Sequence, residues 1–380
     1  MTGSKVKIWK QDPSVRSAGI RTAYVSTEVD HGPQDADIAI RGMPHVISNS
    51  DNDFLFDPVE NPMEFDAVHT FTVVRQVLTM YRRALNRTGV TQNFDWQWGD
   101  NAPIDVFPRA GLDANAYYSR SLKSLRFFYF HPGGNEIKPL VYTCRSFDIV
   151  AHEVGHAVLD SLRPGYWTSW HPQTGGLHEA FGDITAILTM LAQMDQCEAI
   201  IAHSKGDLHA KSFFPAVAEQ FGEALYGRTT GLRNADNDLK LSEVSTEVHE
   251  ISQVFTGAFY DILADIFEEY HKPDQYDQAE TLFRVGKHMT ALVILSLLQG
   301  PKKNATYKNI AEKMIDIEPV AKWKELIHNQ FTNREVFEGP VGLAKVKPQS
   351  LGLKGCCGTL RGDEYGEAVQ KSIKQALKTG

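Results

Sequence analysis

The stretch His152-Glu153-Val154-Gly155-His156 constrains this chain more than any other part of it. On a helix, residues four apart share a face, so both imidazoles can reach one ion. Glu153 stands beside His152 but off the line joining the two rings, where its carboxylate can meet a water on that ion. A catalytic zinc takes three protein ligands and keeps one position for water, so a third ligand must come from elsewhere. The longer motif that supplies a third histidine needs glycine at 159 and histidine at 162. Both positions are leucine, Leu159 and Leu162, which excludes it. The plain alternative is an amphipathic helix with two unconnected histidines, because a five-residue window also arises by chance.

The next helical segment weighs against chance. Gly175-Gly176-Leu177-His178-Glu179-Ala180-Phe181-Gly182-Asp183 opens it, and Glu179 and Asp183 share a face. Glu179 is placed to complete the zinc site. Asp183 is placed to accept the free ring N–H of His152 and fix its tautomer. A carboxylate also suits a helix start for electrostatic reasons alone, and both roles are compatible.

Hydropathy patterning divides the chain. Ile20 to Val25, Ile38 to Ile40, Ile104 to Phe107, Leu125 to Phe130 and Leu140 to Tyr142 read as strands. One long helix interrupts them, with Phe65, Val68, Phe71, Val74, Val77 and Tyr81 at helical spacing. A second runs from about Ser146 to Leu162, with Asp148 in its first turn. Beyond residue 177 helices dominate, expected at 177–191, Phe213 to Leu225, His249 to Tyr270, Gln278 to Leu298 and Ile310 to Ile315. An α+β chain is expected. Residues 1–163 would form an N-terminal lobe carrying the active helix, 164–335 a helical lobe, and 336–380 a linker with a short tail helix.

A net charge of −8 argues against a nucleic-acid partner. No run of about 18 apolar residues is present to span a membrane, and Met1 to Gln11 shows no secretory signal. Four cysteines, two of them the adjacent Cys356 and Cys357, are too few for a disulfide framework. A cytoplasmic setting is expected, or export without a classical signal peptide.

The segment Asp148 to Val158 resembles the active helix of the thermolysin-like gluzincin zinc metallopeptidases, and Gly176 to Ile184 resembles their third-ligand segment. Asp113-Ala114-Asn115-Ala116-Tyr117-Tyr118 is similar to their edge-strand Asn-Ala element. Val248-His249-Glu250-Ile251-Ser252 is similar to their active-site histidine segment, and Gly231-Leu232-Arg233-Asn234 to their arginine segment. The similarity runs over roughly residues 50 to 330, with long weakly similar gaps. It implies a bilobal fold with zinc in the cleft. It further implies that His249 stabilises the oxyanion, that Arg233 binds a substrate carbonyl and braces the site, and that Asn115 and the Ala116 carbonyl hold substrate as an added strand. Glu153 would take a proton from the attacking water and pass it to the leaving amine.

Departures from the family pattern carry expectations too. Where the family often places a tyrosine, this chain has Trp170, whose indole N–H remains a donor, with Tyr166 nearby to compensate. The carboxylates of the family's calcium site are largely missing around Met190, although Asp148 persists, so calcium is not expected. Residues near 50 already match the catalytic lobe, which leaves no room for the usual long propeptide and argues for narrow specificity, for control by a regulatory or inhibitor protein, or for activity only after export by a non-classical route. Two functional readings follow. One is an endopeptidase acting on peptides or proteins. The other is a zinc-binding, catalytically silent or single-target interaction module. Intact Glu153 favours the first, since a purely structural site needs no base and usually closes with a fourth protein ligand.

Overall fold

Alternate burial along Ser4–Trp9 (β1) turns one side of the strand inward, and it pairs antiparallel with Ile20–Val25 (β2) in the register Ser4↔Val25 to Trp9↔Ile20. The computed structural model describes residues 3–90, 94, 96, 102–169, 171–226 and 231–338. Ile38–Ile40 (β3) leads to the 26-residue helix Pro62–Arg87 (α1), which starts with proline where an N–H would lack a partner. Ile104–Phe107 (β4), Ala116–Ser119 (β5) and Ser124–Phe127 (β6) then build a four-stranded sheet of order β3-β4-β6-β5. Its first three strands run parallel and β5 runs antiparallel at the margin. Tyr129–Phe130 (β7) and Val141–Tyr142 (β8) form a short ribbon that feeds the next helix.

That helix, Phe147–Leu162 (α2), is buried along its whole length. It lies between the sheet, through β5, and Pro172–Leu191 (α4), which follows the single turn Pro164–Trp167 (α3). Helices make up most of the rest: Met194–Ser204 (α5), Glu219–Tyr226 (α6), Val248–Tyr270 (α7), Gln278–Gln299 (α8), Tyr307–Ile317 (α9) and Ala321–Asn333 (α10). The fold is α+β, with strands gathered in the first half and helices in the second, and it fits the bilobal gluzincin architecture. Helix α8 is long and apolar enough to cross a membrane, but 61% of that apolar window is buried against the protein, chiefly α1, α5, α9 and α7. It is a core helix.

Two expectations are corrected here. Phe213 to Leu225 is not one helix. Ala216–Val217 (β9) pairs with Arg233–Asn234 (β10), and Ala218 sits at φ 58° before α6 begins. The backbone of the first half of that segment is committed to a strand partner, which helical periodicity cannot reveal. Helices α5 and α10 were also not anticipated, and α10 buries only Ile327 and Phe331. The expected tail helix, and all but the first residues of the linker, lie outside the described residues, as do Cys356 and Cys357.

A buried polar knot ties the N-terminal segment to the head of α2. Ser146 Oγ bonds both Asp12 Oδ2, at 2.8 Å, and Asp148 Oδ1. The Gln220 N–H donates to Asp12 and the Ala218 N–H to Asp148. One hydroxyl proton serves only one of two flanking carboxyls, so the chain of three oxygens is best satisfied with one carboxyl protonated. Burial, and then the neighbouring Asp12, pushes Asp148 up to about 6, and burial likewise raises Asp12. A native carboxyl that keeps its proton longer than the unfolded chain stabilises below about pH 4, and that contribution is lost as pH rises through about 6. Asp12→Asn is therefore expected to gain thermal stability relative to wild type as pH is raised across this window. Unfolding midpoints of both proteins at matched pH values check this.

Candidate metal centre

Two glycines let α2 and α4 approach closely enough to share a site. A Cβ on Gly155 would lie 2.7 Å from Thr185 Oγ1 and 3.1 Å from the Gly182 Cα. A Cβ on Gly182 would lie 2.6 Å from the His152 ring. With hydrogen in both places, the face of α2 that carries His152 and His156 meets the face of α4 that carries Glu179 and Asp183.

The donors then converge. His152 Nε2 lies 3.6 Å from Glu179 Oε2, and His156 Nε2 lies 3.7 Å from Glu179 Oε1. Ligand atoms of all three residues fall within 4.8 Å of one another. Bonds of about 2.1 Å at the tetrahedral angle put donors roughly 3.4 Å apart, so the spacing suits zinc. His152 Nε2 and both oxygens of Glu179 are buried without a hydrogen-bond partner. Such atoms are costly to leave bare, and a shared cation satisfies all of them at once. Two imidazoles and one carboxylate are also the donor set of a catalytic zinc.

Charge in the pocket is arranged to receive a cation. Burial opposes a charge on His152, but the hydrogen-bonded Asp183 and the Glu179 carboxylate 3.6 Å away outweigh it and raise the ring to about 10. Burial holds His156 well below the usual histidine range. Burial favours a neutral Glu179, yet His249, His156 and His152 keep it well below the carboxylate range. Asp183 is lowered against its own burial by Arg233 and His152. Metal uptake here displaces ring protons from around buried carboxylates.

Each ring is held from behind. His152 Nδ1 bonds Asp183 Oδ1 at 2.8 Å, as expected from the sequence. Arg233 grips Asp183 in turn through Nε at 2.8 Å and Nη2 at 2.7 Å. His156 Nδ1 lies 2.7 Å from His178 Nδ1. To present Nε2 as a ligand, His156 carries its proton on Nδ1, and His178 accepts it. His249, near the start of α7, places Nε2 3.5 Å from Glu179 Oε2 and bonds Glu247 Oε1 through Nδ1 at 2.7 Å. Burial works against charge on His249, but Glu179 and Glu247 raise its pKa. Glu153, wholly buried, accepts the Tyr118 backbone N–H of β5 at 3.1 Å.

His178 and Glu247 escaped the sequence reading. The signal for each was proximity alone, one residue before Glu179 and two before His249. Other expected residues fall differently. Ala116 opens β5 beside α2, and Asn115 turns its side-chain oxygen onto the Ala116 N–H at 2.9 Å. Tyr166 does not supply a donor to the cleft: it is buried, and its hydroxyl donates to the Pro301 carbonyl at 2.9 Å, pinning α3 to the loop after α8. Trp170 lies outside the described residues.

The thermolysin metallopeptidase catalytic-domain family matches residues 16–160, a stretch that takes in both histidine ligands and Glu153. Over those residues the chain is similar to the thermolysin metallopeptidases. That match and the His152, His156 and Glu179 group together support a zinc metallopeptidase. The third ligand lies beyond the matched residues, so it is the geometry that brings Glu179 into this thermolysin-like site. No curated protein gives a match to the chain.

Gly182→Ala tests the packing that builds the centre. The new methyl would press the His152 ring away from Asp183 and Glu179. Zinc affinity is expected to fall roughly 10- to 100-fold while helix content is kept. Competition with a chromogenic chelator, with circular dichroism as control, measures both.

Proposed function

We propose that the chain is a zinc metalloendopeptidase in which Glu153 is the general base and His249 the oxyanion donor. One observation carries the reading. Among the described residues the buried donor group contains three members, His152, His156 and Glu179, and His249 is not one of them although its Nε2 faces Glu179. Three ligands with an ionisable base alongside is the pattern of a working site rather than a closed structural one.

His152, His156 and Glu179 would hold a zinc ion, which would supply Lewis acidity to lower the pKa of water to about 7 and polarise a peptide carbonyl. The chain's own groups do the rest. Glu153, aimed by the Tyr118 N–H, takes a proton from the attacking water and delivers it to the departing amine. His249, whose Nδ1 is held by Glu247, directs Nε2–H at the oxygen where charge builds. Arg233 keeps Asp183, and through it His152, in place. The substrate backbone lies along β5 near Asn115 and Ala116, as a strand added at the sheet margin. Calcium has no part in this reading, because both Asp148 oxygens already accept from Ser146, Ile149 and Ala218.

Glu153→Gln is expected to keep its zinc and lose at least about 10³-fold in kcat. His249→Ala is expected to lose about 10²-fold or more in kcat with KM little changed. Cleavage of a peptide library, with metal content measured on the same samples, checks both. A zinc-selective chelator should abolish cleavage and added zinc restore it, whereas EGTA should leave it intact. Zinc retained in a wild type that cleaves nothing would favour the silent interaction module instead.

A further inference from the structure

The base of the site is aimed by a backbone N–H, and something must fix the strand that bears it. Strand β5 lies at the margin of its sheet, paired with β6 through Ala116↔Phe127 to Ser119↔Ser124. A marginal strand has less to hold it than a central one. Yet the Tyr118 N–H must stay within hydrogen-bond reach of Glu153 Oε2.

The fastening comes from α2 itself. Asp160 is wholly buried on that helix, seven residues after Glu153, about 10.5 Å further along the axis. Tyr118 lies in β5 and Arg120 is the first residue of the turn that follows it. Both reach Asp160. The Tyr118 hydroxyl donates to Asp160 Oδ2 at 2.8 Å. Arg120 donates Nε to Oδ2 at 2.9 Å and Nη2 to Oδ1, a two-pronged charged grip. Arg120 also reaches the Pro164 carbonyl at 3.2 Å and lies over the Trp167 ring, and Trp167 packs edge-on against Tyr118. One helix therefore carries the base at one point and ties down the base's hydrogen-bond donor at another.

We propose that Asp160 is a positioning residue for peptide cleavage: through Tyr118 and Arg120 it fixes β5 against α2, and so sets both the aim of Glu153 and the strand along which substrate lies. Asp160 is not itself a zinc ligand and takes no part in proton transfer. The idea rests on the endopeptidase reading for its consequence in turnover, but the clasp itself is a physical link that exists whether or not peptides are cut.

The test uses the zinc-loaded full chain as wild type, Asp160→Asn and Tyr118→Phe. Tyr118→Phe removes one hydroxyl and guards against a fold lost in Asp160→Asn. Three quantities are read: amide exchange of the peptide spanning residues 116–120, zinc affinity by chelator competition, and kcat and KM on a peptide the wild type cleaves. Both variants are expected to exchange that peptide roughly tenfold faster, with the peptide covering His152 and His156 still protected. Zinc affinity should stay within about threefold, because neither substitution alters a ligand or a side chain hydrogen-bonded to one. Turnover efficiency should fall about 10- to 100-fold, shared between kcat and KM, since base and substrate strand both shift. The double variant should lose little more than Asp160→Asn alone. Unchanged exchange at 116–120 overturns the clasp. Faster exchange with unchanged kcat and KM overturns its role in positioning, and a parallel loss of zinc affinity does the same by showing general damage. A wild type that binds zinc but cuts nothing defeats the endopeptidase reading, and the exchange data alone then decide whether the clasp exists.

Discussion

The site depends on one contact, the crossing of α2 and α4 at Gly155 and Gly182. A helix with side chains is about 10 Å across, and ordinary residues at the crossing would hold the two axes apart. Here an added methyl on either glycine meets atoms within 3 Å. The consequence reaches beyond packing. His152 and His156 are fixed on one helix and Glu179 on the other, so only the interhelix distance decides whether the three form a group. Cavity-free packing is stiff. That stiffness holds ligand spacing near what a tetrahedral ion requires, in residues far apart in hydrogen-bond pattern but forced together by shape.

Such an arrangement is electrostatically expensive until an ion arrives. Glu179 and Asp183 are carboxylates with almost no solvent exposure, and His152, His249 and Arg233 lie around them as countercharges. Asp183 is the hinge of this set, bonded to His152 on one side and Arg233 on the other. A buried charge left unpaired would cost several kcal/mol, so each partner matters more than its own bond. The bare atoms of Glu179 are the exception. Natural folds keep few such atoms, and His152 Nε2 and His249 Nε2 share that state beside them, where the donor set suits a metal. The local deficit marks a place for a cation.

Much of this was legible in the sequence, for identifiable reasons. His152, Glu153, His156, Glu179 and Asp183 sit on helices, where a fixed rise and turn convert spacing into a shared face. Long periodic segments such as α1, α7 and α8 were legible for the same reason. What stayed hidden depends on contacts between distant segments. Val217 looks helical by its neighbours until its pairing with Arg233 is known. His178 looks like any histidine beside a carboxylate until the His156 ring is seen 2.7 Å away. Tyr166 seemed free to face the cleft, but its hydroxyl is used by Pro301, which lies 135 positions along the chain. Asp160 has no signature at all, because its partners lie about 40 positions upstream on a strand.

These links divide the cleft into two mechanical units. Helix α2 carries His152, His156 and Glu153, and its Asp160 fastens β5 to it, so Glu153 and its Tyr118 donor are tied into one body. The third ligand on α4, with His249 on α7 packed against it, belongs to the other. Within the first body, alignment is set by hydrogen bonds that need no metal. Across to α4, the glycine crossing and the Asp183–His152 bond hold the groups in line, and a cation shared by His152, His156 and Glu179 would add a further link. A cation on the three ligands would thus tie α2 to α4 a second time, across a crossing that Gly155 and Gly182 already make close.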